Sequence, residues 1–149
     1  MAVKRDQEPE RVMALAVELR VVIGKLSRRL REQSQSGDLT SSQKSALLRL
    51  ERDGAATVSA LARAEGVRPQ SMGATVAFLE QAGLVSGSPD PSDGRRTVIA
   101  LTALCRKLLK ETRAAREDWL FRAMQANLAS AELAQLTAGV TLLARLADF

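Results

Sequence analysis

Apolar residues recur at helical spacing along most of the chain, and the period changes in one place. From Val58 to about Ala64 the spacing predicts a short helix, which Gly66 ends because glycine enters the left-handed region without a steric penalty. Pro69 stands where a second helix should open, its fixed φ suiting the first helical position, and Gly83 closes that helix. Two helices joined across a few residues containing glycine predict a helix-turn-helix, whose second member is shaped to lie in a DNA major groove. The pattern then turns strand-like. Leu84-Val85-Ser86 is a short apolar start, Thr97 to Leu101 is a β-branched run, and Pro, Asp, Ser and Gly fill the gap. That order predicts a β-hairpin beside the second helix, a wing with its tip at Asp90-Pro-Ser-Asp-Gly-Arg-Arg96.

Outside this stretch the pattern is helical. From Pro9 to about Gln33 a long helix is predicted by Val12, Leu15, Leu19, Val22, Leu26 and Leu30, with residues 1 to 8 polar and frayed. A second row, Met13, Val17 and Val21, widens its apolar face, so the helix is either a deeply buried core helix or one that touches two bodies at once. Residues 34 to 38 read as a polar loop. Thr40-Ser-Ser-Gln43 has capping-box spacing and opens a supporting helix with Ala46, Leu47 and Leu50 inward, ending near Asp53-Gly54. The expected core of the winged part is Leu47, Leu50, Leu61, Met72, Val76 and Leu79. After Thr102, a good N-cap, a long helix runs to about Ala126 with Leu104, Leu108, Ala115, Trp119 and Leu120 along it. Ser130 is expected to cap a last helix with one row at Leu133, Leu136, Val140 and Leu143 and another at Leu142, Leu146 and Phe149. Apolar rows at both ends of so small a chain call for a partner, and a homodimer is the expected one.

The fold class expected is mainly α with a small β-hairpin wing: a winged helix-turn-helix with N- and C-terminal dimerisation helices. A length of 149 residues suits one domain, burying roughly 70% of its unfolded surface. Residues 35–102 form its DNA-binding core, and residues 9–33 and 103–149 its dimerisation region.

Charge and composition narrow the function. A formal charge of +5 and a pI near 10.1 favour a polyanionic partner, although solubility alone also accounts for basic residues. Histidine is absent and Cys105 is the single cysteine, which removes the usual zinc ligand sets and the Ser-His and Cys-His nucleophile arrangements. Nothing in the chain calls for a cofactor. No run of about 18 apolar residues exists and the N-terminus is charged, so a cytoplasmic protein without a membrane partner is expected.

On a helical wheel Met72, Val76 and Leu79 point inward, leaving Gln70, Gly73, Ala74 and Ala77 on the opposite face and Ser71 on its flank. Gln70 suits an adenine edge, Ala74 and Ala77 suit thymine methyls, and Gly73 permits close approach. Arg68, in the turn, is placed for a phosphate or a base. At the wing tip Arg95 and Arg96 carry guanidinium groups toward a minor groove. Each of these also fits a solvated first turn or a solvated charged loop. The rival to a DNA-binding regulator is a helical protein-interaction module binding an acidic partner without an operator, and an enzyme comes last.

Thr57-Val-Ser-Ala-Leu-Ala62, Leu79-Glu-Gln-Ala-Gly-Leu-Val85, Asp90-Pro-Ser-Asp-Gly-Arg95 and Leu101-Thr102 together resemble the MarR (multiple antibiotic resistance regulator) transcription factors. The resemblance implies a dimeric winged-helix repressor or activator on double-stranded DNA with an inverted-repeat operator, often released by a small molecule or an oxidant. It implies that Asp93 orients the arginine that follows and that Arg95 enters the minor groove, with Arg96 left for a phosphate. Abundant basic and few aromatic residues favour a small aromatic or acidic effector. The chain departs from the family at Phe78, where an arginine is common, and at Cys105, where glycine is usual. Cys105 is read as a buried, inert thiol, since the oxidant-sensing members carry their cysteine near the N-terminus.

Overall fold

The computed structural model describes residues 3–34, 37 and 39–149, with side chains from Glu8 onward; Met1, Ala2 and the expected loop residues Gln35, Ser36 and Asp38 lie outside the described residues. The order of elements is α1 (Val3–Glu32), α2 (Ser41–Asp53), α3 (Val58–Glu65), α4 (Pro69–Gln81), β1 (Val85–Pro89), β2 (Thr97–Leu101), α5 (Ala103–Asn127) and α6 (Ser130–Ala147). Contacts divide the chain into two compact units, one of Gln35–Thr112 and one of Met1–Ser34 with Arg113–Phe149. The boundary thus falls inside α5, ten residues later than the end of the expected DNA-binding core at 102.

The winged unit is built from local signals that agree with one another. Thr40 caps α2 with a complete capping box, its Oγ1 accepting from the Gln43 N–H at 3.2 Å while its own N–H donates to Gln43 Oε1 at 2.9 Å. Thr57 caps α3 through the Ala60 N–H. Gly66 (φ +66°) and Gly83 (φ +72°) then reverse the chain after α3 and α4. Val67 N–H reaches Ala62 O at 2.9 Å and Leu84 N–H reaches Leu79 O at 2.9 Å, the paired closing bonds that a left-handed residue at a helix end permits. The hairpin pairs Val85 with Leu101 through Pro89 with Thr97, and Ala56 adds a bridge to Ile99 on its other side.

All six residues expected in the winged core are buried, joined by Ala46, Ala62, Leu84, Val85, Ile99, Leu101 and Cys105. Leu61 and Leu79 are sealed completely, and truncating either to alanine costs about 2–5 kcal/mol by loss of transfer energy and opening of a cavity. The α5 helix meets this core through Cys105 and Leu109, whereas the expected Leu104 and Leu108 are exposed. A shift of one residue turns a helix face by about 100°, and the anchor that sets this rotation is Thr102. Its Oγ1 accepts from the Cys105 N–H at 3.2 Å and donates to Gly83 O at 2.6 Å.

In the helical unit, α1 starts at Val3, so Pro9 lies inside the helix and does not open it, and the expected fraying of residues 1 to 8 does not hold for the described ones. Lys, Arg, Gln and Glu ahead of Pro9 are good helix formers, and they carry the helix through the hydrogen bond that proline forgoes. The α1 helix has no buried residue among those described, which removes the reading as a deeply buried core helix. Ser130 is the first residue of α6 and its cap is Ala129, whose N–H is held by Glu132 Oε2 at 2.8 Å. The α6 helix also has no buried residue, and Val140, Leu142 and Leu146 are exposed. Trp119 and Leu120 are half-buried on the α5 segment of this unit. No described helix is long and apolar enough to cross a membrane.

Candidate nucleic-acid interface

The turn between α3 and α4 leaves Arg68 at the N-cap of α4, extended (φ −69°, ψ 143°) and exposed, with its side chain making no capping bond. Its backbone carbonyl accepts from Met72 N–H at 3.0 Å, so the helix is started by main chain alone and the guanidinium is left for other uses. Pro69 follows at the first helical position. Met72, Val76 and Leu79 are buried, and this fixes the rotation of α4. Gln70, Ser71, Ala74 and Ala77 are consequently exposed and Gly73 half-exposed, all on the face away from the core. A Cβ at Gly73 would meet nothing within 4 Å, so no neighbour within the chain requires glycine there. The Thr75 hydroxyl is turned back to Ser71 O at 3.1 Å.

The wing tip is shaped by two aspartates. Asp90 Oδ1 accepts from the Ser92 N–H at 2.9 Å and from its hydroxyl at 2.8 Å, an arrangement that holds the Asp90 carboxyl below its ordinary pKa, the backbone bond contributing most. Asp93 Oδ1 accepts from the Arg95 N–H at 3.1 Å, and Asp93 O accepts from the Arg96 N–H at 3.0 Å. The Asp93 carboxylate stands 3.9 Å from Arg96 Nε. Asp93 thus holds the backbone of Arg95 and the side-chain charge of Arg96, and the Arg95 guanidinium has no hydrogen-bond or ion-pair partner among the described residues.

Two groups of side chains emerge within one unit: the outward face of α4, preceded by Arg68, and the wing tip with Arg95 and Arg96. They are linked through Thr102, which binds the end of β2 to Gly83 behind α4 and also donates its N–H to Leu84 O at 3.1 Å. Behind them α2 and α3 are cross-braced. Glu65 accepts from Arg49 Nε and from Ser45 Oγ, and both bonds, the arginine first, lower the pKa of its carboxyl. Two contributors lay outside the expected set. Asp90 follows an Asp-x-Ser spacing typical of a side-chain turn, and Phe78 is 45% exposed on the outward side of α4. Burial pushes the Cys105 thiol up, which disfavours the reactive thiolate. Among the described residues no group of metal-ligating side chains comes together.

A helix-turn-helix with an uncovered second helix, followed by a hairpin ending in arginines, defines a winged-helix DNA-binding protein. The MarR family model matches residues 39–97. An uncharacterised HTH-type transcriptional regulator of Mycobacterium bovis is 41% identical over 106 residues, covering 71% of this chain and 74% of the relative. One from Mycobacterium leprae is 39% identical over the same length. A crystal structure of a Pseudomonas aeruginosa protein described as a transcriptional regulator superposes with a TM-score of 0.81 at 39% identity, over 93% of this chain and 97% of that one. A mutant of S. aureus MepR bound to an oligodeoxyribonucleotide shares the fold with a TM-score of 0.70 at 22% identity, over 89% of this chain and 97% of that one. The chain belongs to the MarR family. It is a DNA-binding transcriptional regulator and not an enzyme.

Proposed function

We propose that the protein is a homodimeric, sequence-specific repressor of transcription that acts in the cytoplasm and whose affinity for DNA is modulated by a small aromatic or acidic effector. The observation that carries DNA reading is the uncovered face of α4, Gln70 to Ala77, together with an Arg95 guanidinium that no described residue neutralises. Arg68, Gln70, Ser71, Gly73, Ala74 and Ala77 serve the major groove. Asp93 holds the backbone at the tip, Arg95 enters the minor groove and Arg96, shared with Asp93, approaches a phosphate. Dimerisation is supported by the apolar residues of α1 and α6, such as Val12 and Leu146, that stay exposed in a single chain. A two-fold interface of these helices would set paired α4 helices on half-sites about 34 Å apart in an inverted repeat. An effector acts by preferring one spacing of those helices to another.

Light scattering at micromolar concentration, with titration of a fluorescent duplex from the gene's own upstream region at two salt concentrations, tests this reading. About twice the 16.1 kDa chain mass is expected, with binding that weakens steeply as salt rises. A clean monomer removes the dimer and the palindrome; random duplex bound as tightly as the upstream duplex removes sequence specificity, and binding to neither removes DNA reading. Small aromatic acids are then screened for a shift in DNA affinity.

A further inference from the structure

The outward face of α4 has an unusual chemistry for a surface that reads bases. Beyond Gln70 and Ser71 it presents Gly73, Ala74, Ala77 and Phe78, and the hydroxyl proton of Thr75 is already given to Ser71 O. Phe78 is 45% exposed although Met72, Val76 and Leu79 on the same helix are sealed in the core, so packing inside the chain does not account for it. Ala74 lies one turn before Phe78 and leaves the ring unobstructed on that side. Apart from the Thr75 oxygen, which can still accept, these side chains neither donate to nor accept from a base edge. The major groove offers one feature that asks for neither, the C5-methyl of thymine. Pressed against a cytosine amino group or a guanine oxygen, the ring would strip water from a polar atom and return no partner.

We propose that Phe78, with Ala74 and Ala77, reads thymine methyl groups, so that discrimination along this part of the operator follows the methyl and not the hydrogen-bonding pattern of the base. This rests on the reading of α4 as the helix that enters the major groove. The ring extends the reach of the helix where alanine alone falls short. A base pair carrying a methyl at the same place, 5-methylcytosine opposite guanine, presents the same apolar surface.

Duplexes are first selected from a random pool with the full chain, and each thymine of the enriched half-site is then replaced in turn by uracil, cytosine and 5-methylcytosine. At the Phe78 position, loss of the methyl from thymine should weaken binding about fourfold, the transfer value of one buried methyl group, and methylating the cytosine should recover a similar factor. The Phe78→Ala variant should be indifferent to the methyl, whereas Phe78→Leu should keep part of the preference; circular dichroism checks that both remain folded. Uracil binding as well as thymine at every position, or a methyl preference unchanged in Phe78→Ala, overturns the proposal. If Gln70→Ala and Arg95→Ala still weaken binding in that case, the DNA-reading helix stands and only methyl reading falls. If the pool yields no enriched sequence and those two variants bind as the parent does, the reading of α4 falls and methyl reading with it.

Discussion

The hydroxyl of Thr102 donates to the carbonyl of Gly83 at 2.6 Å while accepting from the N–H of Cys105 at 3.2 Å. One side chain therefore closes the wing, secures the glycine that ends α4 and starts α5. Thr102→Val keeps the shape and removes both bonds. It should lower stability by about 1–2 kcal/mol, most of it from the lost helix cap, measured by denaturant titration. DNA affinity should fall by more than the fraction unfolded explains, because the wing and α4 lose a shared anchor.

Gly73 separates folding from binding. With open space around its missing Cβ, Gly73→Ala should stabilise the chain by up to about 1 kcal/mol through helix propensity. The same methyl would stand between α4 and the groove and weaken DNA binding. Thermal melting and duplex titration of one sample check the two signs, and unchanged affinity would mean that the helix does not come close to DNA at this residue.

Gln70 and Arg95 should divide their labour. Arg95→Ala is expected to weaken operator and unrelated duplexes by similar factors and to reduce the slope of log affinity against log salt by roughly one unit. Gln70→Ala is expected to cost roughly 1–3 kcal/mol on the operator, little on random DNA, and to leave the slope alone.

Glu65 supplies a pH dependence. Its carboxyl binds a proton less readily in the folded chain than in the unfolded one, because Arg49 and Ser45 hold the charged form. The stabilisation is complete above the ordinary carboxyl value of 4.5 and is lost as pH falls through the lower folded value. Glu65→Gln should be less stable than the parent at neutral pH, and the two melting curves should converge in acid.

Features carried by neighbouring residues were legible in the chain itself. The Thr40–Gln43 box, the Gly66 and Gly83 stops and the inward triplet Met72, Val76 and Leu79 each follow from spacing within a turn or two of helix. Long-range choices were not. The pairing of Arg49 with Glu65 joins helices 16 residues apart in sequence, and the Ala56 bridge to Ile99 depends on a third segment finding the hairpin. The rotation that buries Cys105, packs Leu109 against the core and leaves out Leu104 and Leu108 depends on Gly83, far from α5 in sequence. At the site, Gln70 and the arginines announce themselves by type. Which arginine Asp93 neutralises is settled by tip geometry, which favours Arg96. Phe78 stands out in the sequence only as a departure from the family's arginine, and its exposure on the outward side of α4 appears with the fold.

Trp119 is the single tryptophan, and the chain has no tyrosine. It lies beyond the boundary at Thr112, so indole emission originates in the helical unit. Optical signals can therefore be assigned to halves of the molecule without a label. Melts followed by emission and by far-ultraviolet ellipticity would coincide only if both units unfold together. A duplex docked on α4 and the wing meets no indole within the winged unit itself.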